Sequence, residues 1–407
     1  MHILDTLKER GFLAQVTFEE DLYKALEKES MTFYVGFDPT ADSLHVGHYI
    51  PIMAMAHLQR AGHRPIALCG GGTAMIGDPS GKTDIRKMLT KETIAENVMG
   101  LQKQLSRFLD FSEGKAIMVN NADWLLDLNY VDFLRDVGAM FSVNRMLTAE
   151  CYKRRLETGL TFLEFNCMLM QSYDFLSLFK SYGCRLQVGG DDQWSNILSG
   201  ADLIRRKERE DAFALTCKLI MTHDGKKMGK TEAGALWLDK ERTSPYDFYQ
   251  YWRNVGDPDV ERFLALLTFL PMDEVRRLGA LKDEKINEAK RVLAFEVTKL
   301  IHGEEEAQKA ADAAQTLFAG GSGMGNVPSF DVTAAMLEED SRLTSLLALC
   351  GLCASKGEAR KMVQAGAVLV GETKATDIDA RIEAAQIGTE GLLLRKGKKN
   401  YCRLLLK

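Results

Sequence analysis

Two short basic clusters, far apart in the chain, carry the strongest chemical signal in the sequence. The first is His45-Val46-Gly47-His48, and the second is Lys227-Met228-Gly229-Lys230-Thr231. Each is weak alone, because a His-x-Gly-His tetrapeptide arises by chance and many lysine-rich loops are solvated turns. Together, on a chain with an α/β pattern, they predict a two-sided clamp for a nucleoside triphosphate. We therefore expect an enzyme that activates a carboxylic acid by adenylation.

Adenylation needs positive charge and close backbone contacts, and it needs no nucleophile from the protein. The substrate carboxylate attacks the α-phosphate of ATP, and negative charge then grows on the phosphoryl oxygens and on the departing pyrophosphate. Gly47 lets the backbone approach a nucleotide, and its cluster lies at a strand-to-helix junction whose N–H groups favour phosphate. The second cluster follows the turn Asp224-Gly225, so its lysines act as point charges on flexible stems.

The elements around the clusters follow the rhythm of a parallel, doubly wound sheet. A buried strand is predicted over 31–37, and Asp38-Pro39-Thr40 ends it. A helix over 47–60, a second buried strand over 65–69 and a glycine-rich turn over 70–81 follow. The other predictions are helical spacing over 2–30, helices over most of 91–180 with a strand at 116–119, a strand at 185–188, a helix at 192–206 and helices over 245–317.

Composition limits the class of protein. A chain of 407 residues predicts two or three domains, and 46% apolar residues allow a sizeable core. The net charge of −5 excludes a globally basic surface, so any contact with nucleic acid must use local patches. The 8 cysteines are dispersed, which fits a reducing cytoplasm, and the Cys350-x-x-Cys353 pair is predicted to pack in a core. No apolar run has membrane-spanning length, and the first residues lack the pattern of a signal peptide.

The chain resembles the bacterial tyrosyl-tRNA synthetases, a family of class I aminoacyl-tRNA synthetases, along nearly its whole length. The two clusters resemble the family's "HIGH" and "KMSKS" signatures, the second in a KFGKT-type form. Further matching stretches are Gly36 to Leu44, Gly77 to Lys82, Gln171 to Phe175 and Gly189 to Trp194.

The resemblance implies an α/β fold class: a Rossmann-like doubly wound parallel sheet, an α-helical domain and a small α+β S-four-like RNA-binding domain. The expected boundaries are 1–220 for the catalytic domain with its helical insertion, 221–319 for the signature loop and helical domain, 320–339 for a glycine-rich linker and 340–407 for the RNA-binding domain.

The resemblance also implies roles for individual residues. Tyr34 and Asp174 would bind the phenolic hydroxyl of tyrosine, a contact that rejects phenylalanine because it would leave buried polar groups unpaired. The other implied tyrosine-binding residues are Asp38, Asp78 and Gln171 near the ammonium group, Cys167 beside them, and Asn121 and Gln193 at the pocket or the carboxylate. The implied ATP-binding residues are Gly36, Thr40, Gly47, Gly190, Asp192 and Lys230. The implied catalytic residues are His45, His48, Lys82, Arg86, Lys227, Lys230 and Thr231.

Three residues depart from the family's pattern. Cys167 stands where a tyrosine commonly contacts the ammonium group, and a thiol is a weak hydrogen-bond partner. Val35 replaces a side chain that in some relatives reaches the ribose. Asp191 stands where serine is frequent, and its repulsion with Asp192 puts the ribose contacts there in doubt.

The C-terminal segment carries a second resemblance. Residues 354–368 resemble the ribosomal-protein S-four-like RNA-binding fold, Gly371 provides a hairpin-like turn, and a basic run at 395–401 precedes a strand. Phosphate-neutralising side chains are predicted in this segment. The predicted tRNA-binding residues are Lys356, Arg360, Lys361, Lys398 and Lys399.

These observations predict a cytoplasmic tyrosine–tRNA ligase. It would use L-tyrosine, ATP with Mg²⁺ and tRNA(Tyr), with no tightly bound cofactor, no metal site, and no membrane or DNA partner. A homodimer is expected, with its interface around Phe133–Leu160. Two alternatives stay open: a related nucleotidyltransferase acting on a small metabolite, and a non-catalytic RNA-binding protein with a degenerate synthetase domain.

Overall fold

The computed structural model describes residues 1–75, 90–223, 225, 228–231, 234–318, 329–371, 373–388, 391–397 and 400–407. The chain forms two compact units, Met1–Gly303 and Glu304–Lys407. The four segments expected from the sequence are therefore not four separate bodies. Residues 221–303 belong to the first unit, because the backbone after the signature loop bonds to the chain around the first cluster.

A six-stranded sheet forms the centre of the first unit, in the order β1-β6-β5-β2-β3-β4. All neighbours are parallel except β1 and β6, which are antiparallel. The near-continuous burial of β2 and β3 is typical of parallel strands covered on both faces. This confirms the predicted doubly wound sheet. The strands are β1 (Leu13–Val16), β2 (Thr32–Phe37), β3 (Arg64–Cys69), β4 (Ile117–Asn120), β5 (Cys184–Gly190) and β6 (Phe213–Cys217), with a separate hairpin of β7 (Lys230–Thr231) and β8 (Gly234–Ala235).

Helices cover the sheet and extend beyond it. The longest is 21 residues; it begins with a capping box in which Thr161 and Glu164 bond reciprocally, and it ends at Gly183 in the left-handed region. The helices of this unit are α1 (Ile3–Glu9), α2 (Glu19–Lys28), α3 (Tyr49–Arg60), α4 (Gly71–Ala74), α5 (Lys91–Leu105), α6 (Ala122–Leu125), α7 (Tyr130–Asp136), α8 (Val143–Leu147), α9 (Glu150–Thr158), α10 (Phe162–Tyr182), α11 (Trp194–Glu208), α12 (Pro245–Arg253), α13 (Val260–Leu267), α14 (Met272–Gly279) and α15 (Ile286–His302).

Two neighbouring strands at one side of the sheet, the edge strand β1 and the adjacent β6, are absent from the sequence prediction. The continuous helical pattern expected over 2–30 is wrong, because β1 separates α1 from α2. Strand β6 has no counterpart in the prediction either. These strands pair with each other although most of the catalytic domain separates them in sequence, and Gln15 lies opposite Thr216. Local spacing carries no information on a partner so distant in the chain.

The second unit is a small α+β body. Its five-stranded sheet has the order β11-β10-β12-β13-β9, antiparallel except between β13 and β9. Its elements are α16 (Glu304–Phe318), β9 (Ser329–Val332), α17 (Ala334–Asp340), α18 (Leu343–Leu349), α19 (Lys356–Gln364), β10 (Val368–Val370), β11 (Thr373–Ala375), α20 (Ala384–Ile387), β12 (Leu392–Lys396) and β13 (Asn400–Leu406).

Three sequence expectations can be compared with this unit. The hairpin at Gly371 is confirmed by the pairing of β10 with β11. The linker expected over 320–339 is corrected, because β9 and α17 occupy its second part; residues 319–328 lie outside the described residues. Cys353 is 2% exposed in the core and Cys350 packs against it, as predicted. No described helix is long and apolar enough to span a membrane.

Candidate active site

The first basic cluster forms a compact turn at the start of α3. His45 caps the 3-10 turn Val46–His48, and its Nδ1 accepts the Gly47 N–H at 3.0 Å. The Nδ1 of His48 accepts the His45 N–H at 3.2 Å. The two ring centroids lie 4.1 Å apart. Each Nδ1 atom therefore accepts a hydrogen bond from the backbone, which fixes the orientation of both imidazole rings at the start of α3.

The second cluster meets the first through its backbone. Gly229 has a φ of +77°, and a Cβ there would lie 3.0 Å from the Val46 Cβ. Two backbone hydrogen bonds join the residues that follow Gly229 to the first cluster. The Val46 N–H donates to the Leu236 carbonyl at 3.0 Å, and the Leu238 N–H donates to the Leu44 carbonyl at 2.9 Å. The structure thus brings the backbones of the two clusters into contact at Val46 and Gly229.

A glycine turn after β3 lies between the clusters and a deeper polar network. A Cβ on Gly70 would lie 2.8 Å from an Asp38 carboxylate oxygen. The Gly72 N–H donates to Asn121 Oδ1 at 2.7 Å. Glycine is therefore required here by close approach of side chains from the ends of β2 and β4. This turn joins three strand ends at the carboxyl edge of the sheet, where ligands of such sheets bind.

A buried carboxyl group lies near this turn, on Asp174 of α10, which is 2% exposed. Its carboxylate accepts from Asn121 Nδ2 at 3.0 Å and from Trp124 Nε1 at 2.8 Å. Burial raises the pKa of Asp174 to about 7; the two hydrogen bonds oppose this shift and the charge of Asp38 adds to it. Trp124 is absent from the sequence prediction, although it lies three residues after Asn121 at a strand end.

Two further buried polar atoms, Tyr34 Oη and Gln187 Oε1, have no hydrogen-bond partner among the described residues. The two residues face each other in the register of β2 and β5. Burial raises the pKa of Tyr34 well above its usual value, and the nearby Asp174 raises it further, so the phenol stays neutral. Gln187 is also missing from the sequence prediction. Its signal is a polar residue inside the apolar run from Leu186 to Val188.

The turn after β5 separates the two neighbouring aspartates. A Cβ on Gly190 would lie 2.6 Å from Asp192 Oδ1, so this carboxylate folds over the glycine. Asp191 Oδ1 instead accepts from Gln15 Nε2 at 2.8 Å and Thr216 Oγ1 at 2.9 Å. The Asp191 carboxylate is therefore held by side chains of β1 and β6.

The remaining predicted residues are placed as follows. Thr40 and Gly36 are exposed at the end of β2, Cys167 is 8% exposed on α10, and Gln171 is half-buried one turn later. Gln193 Oε1 accepts from Asn196 Nδ2 at 3.1 Å. The structure gives only the backbone of Lys230 and Thr231. Four predicted residues lie outside the described residues: Asp78, Lys82, Arg86 and Lys227.

The predicted RNA-contacting residues are partly visible in the second unit. Arg360 and Lys361 are exposed on α19, while Lys398 and Lys399 lie outside the described residues. Lys356 is also exposed, but its Nζ lies 2.9 Å from an Asp340 carboxylate oxygen. That ion pair reduces the charge Lys356 can offer to phosphate.

No cluster of three or more histidine, cysteine or acidic side chains suited to a metal occurs in the described part of the chain.

Comparison with known families agrees with this geometry. Residues 26–319 match the family described as "tRNA synthetases class I (W and Y)". Residues 321–404 match the "Tyrosine--tRNA ligase SYY-like C-terminal domain". The sheet, the paired clusters and these matches define an enzyme of the class I tRNA synthetases.

Individual similar proteins show which of the class I tRNA synthetases this chain resembles. The chain is 61% identical to "Tyrosine--tRNA ligase" of Caldanaerobacter subterraneus subsp. tengcongensis, with 100% of both chains covered. It is 60% identical to the protein of that name in Clostridium botulinum (strain 657 / Type Ba4), again over 100% of both. A C-terminally truncated mitochondrial tyrosyl-tRNA synthetase of Aspergillus nidulans is 30% identical, has a TM-score of 0.70, and is aligned over 78% of this chain and 94% of its own. The chain belongs to the tyrosine–tRNA ligase family.

Proposed function

We propose that the site condenses L-tyrosine with ATP to tyrosyl-adenylate and pyrophosphate, and that the tyrosyl group then passes to the 3′ end of tRNA(Tyr). The observation that carries this proposal is the buried polar group around Asp174. This group lies close to the glycine turn. Strand β2 connects it to the first basic cluster, because the ring centroid of Phe37, at the end of that strand, lies 6.4 Å from the ring centroid of His48. One strand thus joins an amino-acid pocket to a phosphate site.

The polar group around Asp174 suits a phenol. A substrate hydroxyl would donate to the Asp174 carboxylate and accept from Tyr34 Oη, which has no other partner among the described residues. Phenylalanine would leave both groups unpaired in a buried place, and such a loss gives strong discrimination. Asn121 and Trp124 act as positioning residues, since each holds one oxygen of Asp174.

The polar end of the amino acid is assigned by family resemblance together with position. Asp38 lies next to Gly70, and its charge acts on the Asp174 carboxyl. We assign the substrate ammonium to Asp38, Asp78 and Gln171. Cys167 contributes packing at this point more than hydrogen bonding, because a thiol is a weak partner. Gln193 is assigned to the substrate carboxylate.

The phosphate and ribose contacts complete the assignment. His45 and His48 offer imidazole edges at the start of α3, and Thr40 lies exposed at the end of β2 beside them in sequence. Asp192 and the Gly190 backbone are assigned to the ribose. Lys82, Arg86, Lys227, Lys230 and Thr231 are assigned to the charge that develops on pyrophosphate. Magnesium is expected to enter as the complex of ATP, since triphosphate oxygens are its usual ligands.

The second half-reaction requires contact with tRNA. Arg360 and Lys361 are exposed neighbours on α19 of the second unit, and we assign phosphate contacts to them together with Lys356, Lys398 and Lys399. The α+β topology of this unit is compatible with an S-four-like RNA-binding fold. We further propose a cytoplasmic location, which the eight free cysteines support.

A homodimer is proposed from an apolar surface on the first unit. Large apolar side chains between β4 and α10 are exposed, including Tyr130 at 59%, Val131 at 71% and Val143 at 55%. Phe162 and Leu163 at the start of α10 are exposed at 67% and 50%. Several large apolar residues exposed in one stretch are typical of a protein interface. A second copy of the chain is the occupant that we propose. Val143 lies inside the range Phe133–Leu160 expected from the sequence, and the other exposed residues lie directly before or after that range.

ATP–pyrophosphate exchange tests the proposed function directly. The full-length protein is supplied with ATP, labelled pyrophosphate, Mg²⁺ and one amino acid at a time. We expect exchange with L-tyrosine, and a kcat/KM for L-phenylalanine lower by about 10⁴-fold or more. Equal exchange with both amino acids would refute the assignment of Tyr34 and Asp174. No exchange with any amino acid would favour the non-catalytic alternative.

A further inference from the structure

The loop that carries the second basic cluster is held by a tyrosine from another part of the fold. Tyr251 lies on α12, and its hydroxyl accepts the Gly229 backbone N–H at 3.0 Å. The same hydroxyl donates to the Met228 sulfur at 3.2 Å. One hydroxyl therefore contacts two adjacent residues, and it fixes the orientation of the peptide between them.

The peptide that Tyr251 holds is the point of contact between the two clusters. The Gly229 carbonyl accepts the Leu236 N–H at 2.7 Å. Both backbone polar groups of this glycine are thus occupied, and its α-carbon faces Val46 so closely that a Cβ would lie 3.0 Å from the valine. Lys230 is the next residue. This arrangement therefore fixes the position of the Lys230 backbone relative to His45 and His48.

The chain entering the loop has a separate attachment. Asp259, which is 1% exposed, accepts from the His223 backbone N–H at 3.1 Å and lies 2.9 Å from His223 Nδ1. Arg262 donates both to this carboxylate and to the Met221 carbonyl. These contacts hold residues 221–223. Tyr251 acts further along the loop, immediately before Lys230.

We propose that Tyr251 is a positioning residue for adenylation: by holding Gly229 against the first cluster, it sets the point from which Lys230 approaches the triphosphate. This inference rests on the proposed function of that lysine. Tyr251 acts on the loop backbone and needs no contact with either substrate. Its effect should therefore appear in the rate of adenylate formation and not in the binding of tyrosine.

Tyr251→Phe removes the hydroxyl and keeps the ring. We expect kcat of ATP–pyrophosphate exchange to fall about five- to tenfold, as loss of one positioning hydrogen bond predicts. The dissociation constant of tyrosine should stay unchanged. The matched control is Tyr23→Phe, which loses a hydroxyl that donates to Asp5 at 3.1 Å on the α1–α2 side of the fold. The control should keep the wild-type kcat, and the two variants should melt within about 2 °C of each other.

A double-mutant cycle identifies the residue through which Tyr251 acts. In a Lys230→Ala background, Tyr251→Phe should change the single-turnover rate by less than about twofold, because the group that it positions is gone. The same loss in both backgrounds would refute the inference, as would a Tyr251→Phe variant that weakens tyrosine binding and leaves kcat unaltered. If the wild-type protein shows no tyrosine-dependent exchange, the proposed function fails and this inference fails with it. If the wild type is active and Tyr251→Phe equals it, only the inference fails.

Discussion

The affinity for tyrosine should increase as the pH rises from about 5.5 to about 8.5, because Asp174 ionises within this interval. Burial raises the pKa of its carboxyl to about 7. The ionised carboxylate is the stronger acceptor for a phenolic hydroxyl, since a protonated carboxyl has lost one acceptor oxygen and its charge. The perturbation is therefore pH alone, applied to an unmodified protein.

The expected change in the affinity for tyrosine follows from the strength of the hydrogen bond between the substrate hydroxyl and Asp174. A bond to a charged partner contributes about 1.5–3 kcal/mol, against about 0.5–1.5 kcal/mol between neutral groups. The difference of roughly 1.4 kcal/mol corresponds to about a tenfold change in the Kd of tyrosine. The carboxyl group of free tyrosine titrates well below this interval. Its ammonium group loses its charge only toward the alkaline end, and that loss would weaken binding, so neither group produces the expected gain in affinity.

The same pKa shift has the opposite effect on the stability of the free protein. The carboxyl of the unfolded chain has a pKa of 3.8, and the folded value is about 7, so between these values the folded state binds more protons. Stability from this group is complete below 3.8 and is lost as the pH rises through about 7. At about 1.4 kcal/mol for each pH unit, the full loss is about 4 kcal/mol. Tyrosine binding should therefore raise the melting temperature most at alkaline pH.

Calorimetric titration with L-tyrosine across the pH series measures the effect. Asp174→Asn is the control, because an amide does not ionise in this range; its affinity should be independent of pH and weaker than that of the wild type at alkaline pH. The reasoning is refuted if the wild-type Kd is constant across the series. It is equally refuted if the Asp174→Asn variant shows the same tenfold change.

The remaining predictions concern the loop, the second unit and the apolar surface. Lys230→Ala should slow adenylate formation by about 10²–10³-fold and leave the Kd of tyrosine near normal; a large loss of tyrosine affinity at an unaltered rate would contradict the assigned role. Removal of residues 321–407 should spare pyrophosphate exchange and lower tRNA charging at least about tenfold, whereas intact charging would exclude these residues as an RNA contact. Phe162→Asp should convert the proposed dimer to a monomer in sedimentation experiments, because it would bury a charge in the proposed interface, where the Phe162 side chain is 67% exposed in the single chain; a dimer that persists would place the interface elsewhere.

The elements nearest the phosphate clusters were predictable because their signals are local. Buried β2 and β3, the helix that begins after His48 and the strand that ends at Gly190 lie within a few residues of the predicted positions. Apolar runs, a break at Pro39 and glycine-rich turns are properties of a short window. Strands β1 and β6 were not predictable in this way, since β1 has only four residues and its partner is about 200 residues away in the chain.

The residues of the buried polar network around Asp174 were also predicted only in part. Tyr34, Asn121 and Asp174 were predicted through family resemblance, but Trp124 and Gln187 were not. A tryptophan and a glutamine are common core residues, and nothing in their neighbours distinguishes a polar role. Their function becomes visible only when the indole donates to Asp174 and the amide oxygen stays buried beside Phe175 and Gly200.

The sequence alone determined the reaction class, because paired signatures, glycine turns and an acidic residue in a buried helix specify chemistry through residue type and order. Tertiary structure alone decided how the signatures meet: Gly229 touches Val46, Tyr251 holds that contact, and Asp191 is directed toward β1 and β6. The physical reason is that residue types define which interactions are possible, whereas packing of elements distant in the chain determines which partners come within hydrogen-bond distance.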